Sequence, residues 1–256
     1  MTKNFVSFHI LLNLGVHIGH HQDLNTTYSY YYILGIKNNR SIIDLSYTIY
    51  YLRFIMLFLK KLGSMQGHLL FYNSTIFNMP LYIRLFLIQL VSVKFQLSIS
   101  DNKWKYGQLS NFYGQAIRLV KLLNIDKEMI YNFIELFQYV LFYILYKKIE
   151  GVSWNVHFFK MLKFWRFVNQ FKYYNNFKHY PDAFIFMGPD NNSVAALEAS
   201  SRHIPVIATI DTNSDFNECV SYPIPSNDDS YLICVFYFQL FVNSFLLGKS
   251  LKINKL

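Results

Sequence analysis

The chain reads as an α/β protein, a parallel sheet of about five strands flanked by helices that bury its apolar runs. Three observations predict this. The stretch from Tyr180 to Asp229 holds two short apolar runs, Pro181-Asp182-Ala183-Phe184-Ile185-Phe186 and Ile204-Pro205-Val206-Ile207-Ala208-Thr209-Ile210. Each run ends in a polar loop, and a helix-like segment over residues 192–201 lies between them, as in a βαβ unit. The loops after the runs carry Asp, Asn and Pro, so polar groups gather at the carboxyl ends of strands.

The elements follow in order. Residues 5–14 are apolar with helical spacing, and Gly15 can close that helix. Residues 15–21 read as a loop, and residues 25–32 are polar and Tyr-rich. Ile42-Ile43-Asp44-Leu45 leads into Ser46, an N-cap candidate, for an apolar helix over 47–62 that Gly63 stops. A buried strand is expected over 68–72, and Pro80 fits the first turn of a helix over 81–91. A second strand is expected over 95–99, and 101–111 reads as loop.

Residues 115–176 differ in kind, with almost no Pro or Gly and with apolar stripes such as Ile134, Phe137, Val140, Leu141 and Ile144. Gly151 breaks the run, and 158–174 resumes it with Lys160, Lys163, Arg166 and Lys172 interleaved. A protruding antiparallel helical hairpin is expected. The body is then one discontinuous domain, 1–112 with 177–256, and the hairpin is an insertion over 113–176. A last helix is expected over 230–247, with Lys249, Lys252 and Lys255 behind it. From Tyr231 to Leu247 there is no charged residue, which invites a membrane-spanning reading. That run is short for a span, and Gln239, Asn243 and Ser244 interrupt it, so a core helix is expected and the chain is not expected to be integral to a membrane.

The 256 residues carry a formal charge of +9, which favours an anionic partner. Phe (25) and Tyr (21) are abundant together with Ile, Asn and Lys. All five have A/T-rich codons, which points to mutational bias in a small AT-rich genome. Cys219 and Cys234 build neither a metal motif nor a disulfide framework. No basic Ser/Arg-rich leader precedes the structured-looking sequence, so a chain working in an organelle is expected to be made there.

Few residues offer chemistry. His17, His20 and His21 cluster, but only Asp23 lies nearby at ligand spacing and Gly19 argues against a helix. Loop hydrogen bonding or contact with an anionic partner is the expected role, and no metal is expected. Asp211, Asp215, Asp228 and Asp229 can bind a cation at strand ends, as in a metal-dependent enzyme, or serve as turn formers and caps. The caps are favoured, because Asn227-Asp228-Asp229-Ser230 directly precedes an apolar helix. No dinucleotide fingerprint, P-loop or nucleophile elbow is present, so no enzyme and no cofactor are expected. Lys103-Trp104-Lys105-Tyr106 can lie on phosphate and stack on a base, or can anchor a loop on the core.

Taken together the motifs resemble the bacterial-type small-subunit ribosomal protein S-two family. Leu11-Leu12-Asn13-Leu14-Gly15-Val16-His17-Ile18-Gly19-His20 is similar to its L-L-x-x-G-V-H-F-G-H, and Ile42-Ile43-Asp44-Leu45 to its I-I-D-L. Trp104, Gly107, Leu109, Ser110, Asn111 and Phe112 fall on R-W-x-G-G-x-L-T-N-F. Pro181-Asp182-Ala183 resembles P-D-A, Ile204 to Ala208 with Asp211-Thr212-Asn213 resembles I-P-V-I-A-I-V-D-T-N, and Ile224 to Asp229 resembles I-P-G-N-D-D.

The resemblance implies a flavodoxin-like parallel sheet with a protruding hairpin and a non-catalytic role on small-subunit ribosomal RNA, between head and body, beside neighbouring ribosomal proteins. A mitochondrial, organelle-encoded member in the matrix is expected, with no small-molecule substrate. RNA contact is expected at His17, His20, Lys37, Arg40, Lys103, Trp104 and Lys105. The chain departs from the family pattern at residues 23–32, which contain no basic residue where the family is rich in Arg and Lys, and at Tyr106, where the family has glycine. Protein contact is therefore expected to replace some RNA contact around 23–32.

Overall fold

The computed structural model describes residues 6–73, 83, 97–100, 104, 106–111, 180–188, 194–214 and 219–253. Two compact units divide the chain, Met1–Ser110 with His179–Leu256, and Asn111–Lys178. The elements below belong to the first. The helical hairpin expected over 113–176 and, Ile83 apart, the helix expected over 81–91 lie outside the described residues.

Helix α1 (Phe8–Asn13) is capped by Ser7, whose Oγ accepts a hydrogen bond from the Ile10 amide at 3.4 Å. Residues 15–21, expected as loop, are in part a strand, β1 (Ile18–His21). It joins β2 (Ile33–Lys37) and β3 (Arg40–Ile43) in an antiparallel sheet of order β1-β3-β2. Strand β2 is largely exposed on both faces, so its sequence lacks the apolar alternation by which a strand is recognised. Its turn is of the tight two-residue kind: Asn38 and Asn39 have φ of 51° and 60°, and asparagine tolerates that region.

Helix α2 (Leu45–Ser64) follows directly. Asp44, not Ser46, is its N-cap: the Asp44 carboxylate accepts from the Ser46 amide at 2.8 Å. The helix continues through Gly63 instead of stopping there, because Gly63 faces another helix. Leu45, Thr48, Leu52, Ile55, Leu59 and Gly63 recur every three or four residues and form its buried stripe.

The main sheet is parallel throughout. Its strands are β4 (Leu69–Asn73), β5 (Leu97–Ser100), β6 (Ala183–Met187), β7 (Val206–Ile210) and β8 (Tyr222–Pro225), in the order β5-β4-β6-β7-β8. Counted among themselves they run 2-1-3-4-5, the flavodoxin-like order. No strand is named over residues 222–225 in the sequence, where Pro223 and Pro225 stand, and β8 supplies the fifth of the expected strands. The two prolines are accommodated because β8 is an edge strand that pairs with β7 alone.

Alternate strand residues supply two cores. Leu69, Phe71, Ile185, Ile207 and Ile224 pack with α2 and with α4 (Tyr231–Ile253). Leu70, Tyr72, Phe184, Phe186, Val206 and Ala208 pack with Leu109 and with the alanines of α3 (Val194–Ser201). Both faces of the central strands are thus covered, which is why these strands read as unbroken apolar runs. Helix α4 is long and apolar enough over Tyr231–Leu251 to cross a membrane. Here its Tyr237, Phe238, Phe241 and Phe245 are buried in the core shared with α2 and the sheet.

Candidate functional site

The carboxyl ends of β7 and β8 lie side by side, and the chain that leaves each carries aspartates. Asp211 follows Ile210, and Asp228 and Asp229 follow Ser226-Asn227. His20 reaches this place from β1. Its Nδ1 is 3.3 Å from Asp211 Oδ2 and its Nε2 is 3.4 Å from Asp229 Oδ2. One nitrogen of His20 and one oxygen each of Asp211 and Asp228 lie within 4.8 Å of one another. The expectation that His20 has only Asp23 as an acidic neighbour is overturned; within that pair of histidines it is His21 whose Nδ1 meets Asp23, at 3.1 Å.

Backbone and hydroxyl bonds hold the arrangement. The His20 amide donates to Thr212 Oγ1 at 3.0 Å, and the Thr26 amide donates to the Thr212 carbonyl at 2.9 Å. The Asn227 amide donates to the Val16 carbonyl at 3.0 Å. A Cβ on Gly19 would sit 2.6 Å from Thr212 Cγ2, so this close approach of β1 to the sheet requires glycine. Asp211 is buried, and its carboxylate accepts from the Thr212 amide at 2.5 Å and from the Asp228 amide at 3.2 Å.

Proximity reshapes the acid–base properties. The contact with Asp211 lifts His20 from its usual 6.5 to about 8, against the opposing effect of burial, with Asp229 and Asp228 adding to the rise. Burial first, then the charges of Asp211 and Asp229, push Asp228 up to about 7.

The other residues expected to touch RNA fall in two places. Lys37 and Arg40 are exposed and are register partners across the β2–β3 turn, so two cations stand side by side at a hairpin tip. His17 lies just before β1, with its carbonyl accepting from the Ile43 amide at 2.8 Å. Trp104 is half-buried, and its ring meets Tyr72 at 5.2 Å and Phe184 at 5.5 Å, the geometry of a loop anchor. Lys103 and Lys105 lie outside the described residues.

The comparisons with known proteins fit this geometry, in which the first, second, fifth and sixth of the motifs meet. The family model described as Ribosomal protein S2 matches residues 11–139 and 158–248. The chain belongs to the ribosomal protein S2 family. It is 27% identical over 250 residues to the small ribosomal subunit protein uS2m of Marchantia polymorpha, covering 97% of this chain and 94% of that one. It is 26% identical over 246 residues to uS2 of Blochmanniella pennsylvanica, covering 93% and 95%, and 26% identical over 220 residues to uS2 of Helicobacter acinonychis, covering 86% and 80%.

Ribosomal protein S2 is a structural family without enzymatic activity, so the strand-end carboxylates of this S2 chain are architecture and not catalytic groups. One architectural residue escapes sequence reasoning. Glu198, in the middle of α3, is buried, and it accepts hydrogen bonds from the amides of Gly107, Leu109 and Ser110. It thereby fixes the turn that carries the Trp104 motif. The available signal is its company, because Ala195, Ala196 and Ala199 are small enough to bring that face of α3 against the sheet.

Proposed function

We propose that this chain is a structural protein of the small subunit of a mitochondrial ribosome, seated on small-subunit ribosomal RNA and on neighbouring proteins. The observation that carries the reading is the β2–β3 tip, where Lys37 and Arg40 project together from a turn built by two asparagines. Paired cations on a rigid tip suit phosphate, which positions a protein without reading sequence. The +9 charge agrees, and so does the membership in the S2 family. Lys103 and Lys105 are the further cations of this reading, and His17 and His20, before and within the strand that pairs with β3, are its histidines. The mitochondrial setting rests on the uS2m relative and on the AT-biased composition.

A protein neighbour is favoured beside the tip. Tyr30, Tyr31 and Leu34 are 61%, 78% and 73% exposed, and no cation lies among residues 23–32 to draw RNA there. Exposed aromatic clusters of this kind mark protein contacts.

Sedimentation of organelle lysate through a magnesium-containing sucrose gradient tests the reading. The chain is expected with the small subunit and is expected to leave it after nuclease digestion. A free or membrane-bound chain beside intact small subunits would overturn it. The double variant Lys37→Glu/Arg40→Glu is expected to incorporate poorly; full incorporation removes the tip from the RNA contact.

A further inference from the structure

Helix α2 carries two apolar stripes, and the fold uses one of them. The stripe of Leu45, Thr48, Leu52, Ile55, Leu59 and Gly63 is buried. On the other side stand Tyr47, Tyr50, Phe54 and Leu57, between 46% and 67% exposed. They are spaced three, four and three residues apart, the spacing of a coiled-coil seam. On a regular helix these four fall in a sector about 80° wide, opposite the buried stripe, and run for about 15 Å. The other exposed positions of α2 are Ser46, Arg53 and Lys61. A surface helix ordinarily keeps this side polar. Compositional bias supplies Phe and Tyr, but it sets neither their spacing nor the charge beside them.

That charge lies on one flank. Arg53 and Lys60, with Met56, Leu57 and, from α4, Leu247, line a cleft of about 450 Å³ between the two helices. Helix α2 contains no Asp or Glu, and among the described residues neither Arg53 nor Lys60 forms an ion pair. The other flank is apolar, with Phe58 and Phe54 against Tyr222 at 5.2 Å and 5.9 Å. We propose that the outer face of α2 seats an amphipathic helix of another protein, one with apolar residues at the same spacing and with Asp or Glu along one flank. This rests on α2 and its cleft and not on the ribosomal role.

The chemistry of the face selects this occupant. A large apolar side chain of the partner enters the cleft beside Leu57, and carboxylates one turn away reach Arg53 and Lys60. A second copy of this chain is disfavoured, because its α2 brings the same cations and no carboxylate. RNA is disfavoured because bases stack on open aromatic faces. Leu57 has no such face, and the Phe54 ring already lies against Tyr222. An anionic bilayer calls for cations on both sides of the apolar face, and here one side is Phe58 and Tyr222.

The test uses the full-length chain and two labelled amphipathic peptides of about 18 residues, long enough to form a helix. Both carry leucine at the seam positions; one has glutamate on a flank and its twin has lysine there. Fluorescence anisotropy is expected to show one acidic peptide bound per chain and roughly tenfold weaker binding of the lysine twin. Tyr50→Ser/Leu57→Ser is expected to lose the acidic peptide, with folding checked by circular dichroism. Arg53→Glu/Lys60→Glu is expected to reverse the preference between the peptides. No saturable binding of the acidic peptide, equal binding of the two peptides, or undiminished binding by Tyr50→Ser/Leu57→Ser would overturn the proposal. A uridine oligonucleotide or vesicles of anionic lipid that bind the native chain more tightly than Tyr50→Ser/Leu57→Ser would also overturn it, because the stripe would then serve RNA or a membrane. A dimer of the native chain that Tyr50→Ser/Leu57→Ser breaks would assign the face to a second copy and overturn it as well.

Discussion

Glu198 accepts a hydrogen bond from the Gly107 amide at 2.6 Å, although the two residues are 91 positions apart. The other carboxylate oxygen of Glu198 accepts from Leu109 at 2.8 Å and from Ser110 at 3.2 Å. A single charged group therefore supplies three acceptors' worth of bonding to a turn that has neither a strand nor a helix ladder to satisfy it. Charge-assisted bonds of this kind are the stronger class, and their loss leaves buried amides dry.

Removing that carboxylate should loosen the turn. Glu198→Ala leaves three amides without acceptors. Each buried amide so orphaned costs roughly 1–3 kcal/mol, and water reaching Gly107 and Ser110 reduces the sum, so a loss of about 3 kcal/mol is expected. Glu198→Gln keeps one acceptor and should lose about half of that. The urea midpoint of the full-length chain measures both, and faster proteolysis within 104–110 should accompany the shift. Identical midpoints for all three proteins would mean that water replaces Glu198.

The fold was legible where burial is complete and hidden where it is not. Strands β4, β6 and β7 show as apolar runs because helices cover both of their faces. Strand β8 was masked by Pro223 and Pro225, and only its edge position, which no local pattern reveals, makes them tolerable. Strand β2 was masked by exposure. At the site, Lys37 and Arg40 are visible in the sequence as neighbouring basic residues, whereas the meeting of His20 with Asp211 could not be read. Spacing rules see ligands within one element, and these residues come from opposite ends of the chain. Glu198 looked like an ordinary polar position on a helix, and the fold buries it.

The contact of α2 with α4 gives a second prediction. A Cβ on Gly63 would lie 2.1 Å from the Phe245 carbonyl oxygen, and one on Gly248 would lie 2.0 Å from the Lys60 carbonyl oxygen. Each helix thus presents a glycine to the backbone of the other. In an isolated helix Gly→Ala gains about 1 kcal/mol. Here the obstacle is backbone, which cannot turn aside, so the helices must separate and strip contacts from Phe241 and Phe245. A net loss of about 2–3 kcal/mol is expected for Gly63→Ala or Gly248→Ala. The pair together should cost less than the sum, since the helices separate only once. Gly35→Ala, with nothing within 4 Å of the added carbon, is the control and should leave the midpoint in place. Thermal melts of the native chain and the four variants decide it; a stabilised Gly248→Ala would contradict the close approach.

The charge pattern around His20 sets a third expectation. His20 has its pKa raised from 6.5 to about 8, so the fold holds its proton more tightly than the unfolded chain does. That contribution is complete below about 6.5 and is lost as pH rises through about 8. The group is partly open to solvent, which limits the contribution to about 1 kcal/mol. Asp228, raised from 3.8 to about 7, acts in the same direction: the fold keeps a proton that the unfolded chain has released, so ionising it between those values costs stability. Ordinary carboxylates elsewhere run the opposite way, so the informative quantity is the difference between the native chain and Asp228→Asn. Relative to that variant, the native chain should lose stability steadily from about pH 4 to about pH 7. In a separate comparison, His20→Gln should remove the loss of stability that the native chain shows between about pH 6.5 and about pH 8, because the neutral amide gives Asp211 no proton to attract. A difference that stays flat with pH would show that the three carboxylates are too far apart, or too well solvated, to feel one another.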